Sequence, residues 1–142
     1  MKKIDKNKIC FIICTNDELQ LNECLLYLDT LIVPEGFTVE VLTIEDAKSI
    51  AAGYNEGMRA SNAKYKVYLH QDTFIIERNF IDLLIKTFKR SNQIGMIGMV
   101  GAEKLAKDAV MWHEKRCGNF YRLDQLIDEG YDGIELIKKG YR

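Results

Sequence analysis

The stretch that most constrains this chain is Ile9-Cys10-Phe11-Ile12-Ile13-Cys14, an unbroken apolar run after Lys8. A strand with one wet face alternates apolar and polar residues, whereas one apolar at nearly every position is covered on both faces. Such a strand sits in the middle of a sheet, with helical crossovers between parallel strands. The rest of the chain supplies those pieces. Leu21, Cys24, Leu25, Leu28, Leu31 and Ile32 follow the spacing of an amphipathic helix from Glu18 onward, and Pro34-Glu35-Gly36 ends it with turn chemistry. Residues 37–44 form a second strand rich in β-branched side chains. Ala47, Ile50, Ala51, Tyr54, Met58 and Ser61 then mark a helical stripe whose small residues allow close packing on a sheet, its other side carrying Asn55 and Gly57.

A third strand covers residues 65–69, and Asn79 can cap a helix over residues 80–90. Residues 94–101 read as a fourth strand with a glycine at every third position, a spacing unlike the dinucleotide-binding fingerprint. Beyond Gly101 the pattern weakens. Residues 109–113 read as a strand or strand-like loop, residues 117–121 as a turn into further β structure, and residues 123–129 and 134–139 as short helical pieces closed by Gly130 and Gly140. This order of elements predicts an α/β fold: a mostly parallel open sheet with helices on both faces.

Composition narrows the function. The 142 residues suffice for one domain with a real core, and 20 Lys plus Arg against 21 Asp plus Glu give no electrostatic footprint for nucleic acid. The lysines near the start form a solvated lead-in, not a signal peptide, and no stretch approaches a membrane span, so a cytoplasmic home is expected. Cys10, Cys14, Cys24 and Cys117 lack zinc or disulfide spacing and are expected as buried free thiols.

Three successive strands end in polar groups: Thr15-Asn16-Asp17, Glu45-Asp46 and His70-Gln71-Asp72. A right-handed parallel sheet brings such ends to one edge, where open α/β sheets bind ligands. A carboxylate held there can meet a divalent cation or a ligand hydroxyl without being buried unpaired.

The order of these groups resembles the nucleotide-binding half of family-2 glycosyltransferases with the GT-A (Rossmann-like) fold. Residues 51–58 (Ala-Ala-Gly-Tyr-Asn-Glu-Gly-Met) and 65–72 (Tyr-Lys-Val-Tyr-Leu-His-Gln-Asp) carry most of the likeness, which runs from about Ile9 to Trp112. It looks especially like the StrF-like branch, named after a streptomycin-biosynthesis protein, where His-Gln-Asp stands at the usual Asp-x-Asp position. Gly98-Met99-Val100-Gly101 also suits that branch.

The resemblance implies one glycosyltransferase-like domain over residues 1–142, binding a nucleoside-diphosphate sugar for transfer to an unknown acceptor. Thr15, Asn16 and Asp46 would hold base and ribose, with Asn55, His70 and Gln71 beside them. Asp72, with His70, would hold Mn²⁺ or Mg²⁺ against the diphosphate. Family members usually continue into an acceptor-binding half that supplies the catalytic base. A truncated C-terminal half is therefore expected, and none of Glu103, Asp108, Glu114, Asp124 or Asp128 matches that base. A free sheet edge can pair with a second copy.

Two other readings compete with the enzyme. One is a noncatalytic nucleotide- or partner-binding module of the same fold. The other is a receiver-like domain with Asp72 as phosphoacceptor, which lacks the expected acidic cluster and late lysine. Trp112-His113 could stack on a sugar, and Arg116, Arg122 and Lys138-Lys139 could reach a diphosphate, but core packing and a solvated face are the default readings of these groups.

Overall fold

The computed structural model describes residues 3–104, 106–110 and 113–117. The chain divides into two compact units, the first running to Leu84 and the second beginning at Ile85. The elements are β1 (Asp5–Thr15), α1 (Glu18–Asp29), β2 (Thr38–Glu45), α2 (Ile50–Ala60), β3 (Ala63–His70), α3 (Phe80–Lys89), β4 (Gly101–Ala102) and β5 (Arg116–Cys117). β1 lies between β2 and β3 and is parallel to both. This is the open parallel α/β sheet expected from the apolar run, and Ile9, Cys10, Phe11, Ile12 and Ile13 are wholly buried in it.

α1 and α2 start where the sequence supplies a cap, whereas the Asn79 expected to cap α3 donates its side-chain amide to Glu77 at 3.1 Å. Asp17 Oδ1 accepts the Leu19 and Gln20 N–H groups at 2.9 and 3.1 Å, satisfying two donors that the first turn of α1 leaves without intrahelical partners. Ser49 Oγ does the same for the Ala52 N–H at 3.1 Å, so α2 begins a few residues later than its apolar stripe suggests. Before β2, the Phe37 N–H donates to the Pro34 carbonyl across a turn in which Gly36 takes φ +78°, a left-handed conformation that glycine adopts without steric cost.

Register sorts the side chains into two faces. Ile12 and Cys14 sit opposite Leu42 and Ile44 on β2 and Tyr68 and His70 on β3. α2 covers this face, and Cys10, Ile12 and Ala63 form a buried cluster packed by Leu42, Ile44 and Tyr54. On the opposite face Phe11 meets Phe80 of α3, ring centroids 6.3 Å apart. The crossovers from β1 to β2 and from β2 to β3 run in opposite directions across the sheet. Right-handed connections therefore place α1 and α2 on opposite faces.

The expected fourth strand is a correction. Residues 94–100 are not in a strand, and only Gly101–Ala102 pairs, antiparallel, with Arg116–Cys117. Gly95 and Gly98 give such a segment no side chains to pack, and Met96 and Met99 stand 89% and 64% exposed. Cys10 and Cys24 are buried free thiols as expected, Cys14 is half-buried, and Cys117 is exposed instead of buried. Among the described residues no helix is long and apolar enough to cross a membrane. The helical pieces expected over residues 123–129 and 134–139, with Trp112, Arg122, Asp124, Asp128, Lys138 and Lys139, lie outside the described residues.

α2 approaches the sheet through its glycines, a correction to the expected stripe: Gly57 lies against β1 and not on the far side of the helix, while Ile50 and Met58 stand 52% and 42% exposed. A Cβ at Gly57 would collide with Ile12 Cγ2, and one at Gly53 with Cys14 Sγ and Ala47 Cβ. Ile12 Cγ2 is fixed to a β-branched carbon in a fully buried strand and cannot swing aside. Gly57→Ala is therefore expected to destabilise the fold by about 1–3 kcal/mol, the usual cost of overpacking, although alanine is the better helix former. Chemical denaturation of the variant checks this, and an unchanged or raised midpoint would contradict the packing.

Candidate functional site at the carboxyl edge of the sheet

The three parallel strands run out at one level. Thr15 is paired with Glu45, and Cys14 with both Ile44 and His70. One step further along each strand direction come Asn16, Asp46 and the His70-Gln71-Asp72 corner. The sheet grows to either side of β1, and ligands in open α/β sheets bind outside the carboxyl ends at such a reversal.

The end of β3 is a turn in which the Thr73 N–H donates to the His70 carbonyl at 3.1 Å, leaving Gln71 and Asp72 at the corner. Three elements fasten this corner. Gln71 Oε1 accepts the Asn16 and Asp17 N–H groups after β1, at 2.8 and 3.1 Å. Its Nε2 donates to Asn16 Oδ1 at 2.8 Å and to Gln20 Oε1 at 3.2 Å. From α1, Cys24 Sγ donates to the Thr73 carbonyl at 3.4 Å, and Tyr27 stacks on Phe74 at 4.9 Å. From α2, the Tyr54 hydroxyl donates to the Leu69 carbonyl at 2.9 Å.

The residues singled out in the sequence divide accordingly. Asn16 and Gln71 are bonded to each other. Thr15 is buried, its hydroxyl donating to the Asp17 carbonyl at 3.3 Å. His70 is exposed and lies edge-on to Tyr54, ring centroids 6.4 Å apart. Asp72 is exposed at the corner, while Asp46 and Asn55 stand exposed at the end of β2 and on α2, outside the Gln71 network. Asp46 takes φ +50°, a left-handed backbone that aspartate tolerates better than most residues. Such outliers cluster at functional positions, where the surrounding structure holds them.

Burial dominates the titration of the groups beneath the edge, and the Asp72 charge adds a smaller contribution. Burial pushes the Cys24 thiol up to about 11, with the Asp72 charge adding to it. Burial also raises the Tyr54 phenol, helped by Cys14 and then Asp72. Among the described residues no group of three or more His, Cys, Asp or Glu side chains forms a metal cage. A nucleotide-bound cation does not need one, since Mg²⁺-type ions take one or two carboxylates and complete their shell with phosphate oxygens and water. The exposed carboxylate of Asp72 fits that donor set.

Sequence reasoning missed Tyr54 and Cys24, which read only as members of apolar stripes, and Gln20, which gave no signal. In the second unit it considered Asp108 and His113 separately. There Asp108 Oδ2 lies 2.6 Å from His113 Nδ1, and the Val110 N–H and then His113 hold the Asp108 carboxyl below its usual range.

The thiols offer a direct check. Native protein treated with iodoacetamide at pH 8 should be alkylated at the exposed Cys117, with Cys10 and Cys24 protected until the chain unfolds. Burial keeps both of the latter protonated as well as covered. Labelling of Cys24 at the rate of Cys117 would contradict the packing of α1 against the corner.

Comparison with known proteins agrees with this geometry. A sequence model described as a glycosyltransferase-like family matches residues 10–133, most of the chain and parts of both units. No curated protein and no solved structure matches. The chain therefore belongs to the glycosyltransferase-like family, as a family-2-type domain.

Proposed function

We propose that the chain binds a nucleoside-diphosphate sugar along the carboxyl edge of β1, β2 and β3, for transfer of the sugar to an acceptor, as in the StrF-like branch. The observation that carries this reading is the common level of the strand ends, which gives Asn16, Asp46 and Asp72 to one edge. The family match across residues 10–133 supports treating the whole chain as one glycosyltransferase-like domain.

In this reading Thr15, Asn16 and Asp46 hold base and ribose. A carboxylate at Asp46, exposed at the end of β2, accepts from a base N–H or from ribose hydroxyls. Asn55, His70 and Gln71 border the same pocket. Asp72, with His70, takes a divalent cation that offsets diphosphate charge when bound. Imidazole favours Mn²⁺ over Mg²⁺. His70 in place of a first acid also favours the second reading, a noncatalytic nucleotide- or partner-binding module of the same fold.

Calorimetric titration with uridine and guanosine diphosphates separates the two. The enzyme reading expects tighter binding with Mn²⁺ than with Mg²⁺ or EDTA, and Asp72→Ala should remove that dependence while leaving the fold intact. Asp46→Ala should weaken nucleoside and nucleotide alike by roughly 10–100-fold, the value of a hydrogen bond to a charged group. Binding that ignores metal and survives Asp72→Ala would favour the noncatalytic module.

A further inference from the structure

The carboxamide of Gln71 is seated against the end of β1 as a ligand would be. Its oxygen accepts from two backbone N–H groups, those of Asn16 and Asp17. Its nitrogen donates to the side chains of Asn16 and Gln20. Backbone N–H groups can only donate, so the orientation of the carboxamide follows from its partners. The edge of β1 thus recognises a carbonyl beside an N–H. Uracil and guanine present that pair on a lactam edge. Cytosine and adenine instead set an amino group beside a ring nitrogen, an acceptor with a single in-plane lone pair.

We propose that Gln71 is an internal placeholder for a lactam base: it occupies the Asn16–Asp17 edge in the free protein, and the uracil or guanine of a nucleoside diphosphate displaces it. The inference rests on the nucleotide-binding reading above and adds to it a base class and a competitor built into the chain. Displacement leaves the corner standing, because the Tyr54–Leu69 and Cys24–Thr73 bonds hold it independently of Gln71. Discrimination follows from the same groups. A carbonyl oxygen has two lone pairs and can take both backbone N–H groups, whereas a ring nitrogen has one and can take only one of them. The cytosine carbonyl is flanked by a ring nitrogen that accepts, so it brings no N–H to Asn16 Oδ1 and Gln20 Oε1.

A placeholder lowers apparent affinity by the fraction of molecules in which it is seated. Gln71→Ala and the bulk-preserving Gln71→Met remove it, and each should tighten binding of uridine or guanosine diphosphate on the order of tenfold. Cytidine and adenosine diphosphates should gain nothing. The test titrates the full chain and both variants with these four nucleotides in Mn²⁺, with thermal melts to confirm folding. Folded variants that bind uridine and guanosine diphosphates no more tightly than the parent would make Gln71 a structural clasp and overturn the proposal while leaving the nucleotide reading intact. Equal tightening for all four would overturn the base class. Absence of binding by every protein would remove the nucleotide reading and this inference with it.

Discussion

The carboxyl edge depends on how closely α2 lies on the sheet, and that distance is set at Gly53 and Gly57. A side chain at either position would run into Cys14 or Ile12 and lift the helix from β1. Lifting it would draw the Tyr54 hydroxyl away from the Leu69 carbonyl and its ring from Tyr68 and His70. The far end of α2 is fastened separately. Ser61 and Lys8 both donate to Glu40, and Lys8 also reaches Asn62. The Ser61 hydrogen bond and, less strongly, the Lys8 charge hold the Glu40 carboxyl below 4.5, its ordinary value. A carboxyl with a lowered folded value stabilises the fold above its unfolded value and loses that contribution only as pH falls through the folded one. This anchor is therefore complete at neutral pH.

With α2 fixed, the two ends of the sheet differ in character. At the amino end Lys8 of β1 pairs with Glu40 of β2 and donates to the Asn62 carboxamide after α2. At the carboxyl end Asp46 and Asp72 stand exposed, while thiols and aromatics lie beneath them. A carboxylate that faces water costs little to keep ionised, and can exchange that water for a cation or a hydroxyl. The chemistry thus collects on one edge, over a core that holds the strand ends level.

Much of this was legible in the sequence, for reasons that also explain what was not. The run from Ile9 to Cys14 identifies the central strand because no position in it is fit for solvent. The polar groups that end each strand identify the edge because parallel strands joined by crossovers must run out together. Gln71 bonding to Asn16 and Asp17 was beyond reach, since the partners are more than 50 residues apart and only the register unites them. Tyr54 carried a helical spacing that pointed to packing and hid its hydroxyl. Residues 94–100 share the apolar strand pattern, yet their glycines weaken a strand and Met96 and Met99 stand exposed instead of packing. The left-handed backbone of Asp46 has no sequence mark beyond the tolerance of aspartate for it.

The central claim is that the ends of β1, β2 and β3 form one ligand-binding edge. Paramagnetic broadening by Mn²⁺ in the presence of uridine or guanosine diphosphate, read on the backbone amides, tests it most directly. The account predicts loss of signal at Asn16, Asp46 and Asp72 with retention at Lys8, Glu40 and Ser61 at the opposite end of the sheet. Broadening confined to that opposite end, or spread evenly over the sheet, would contradict it.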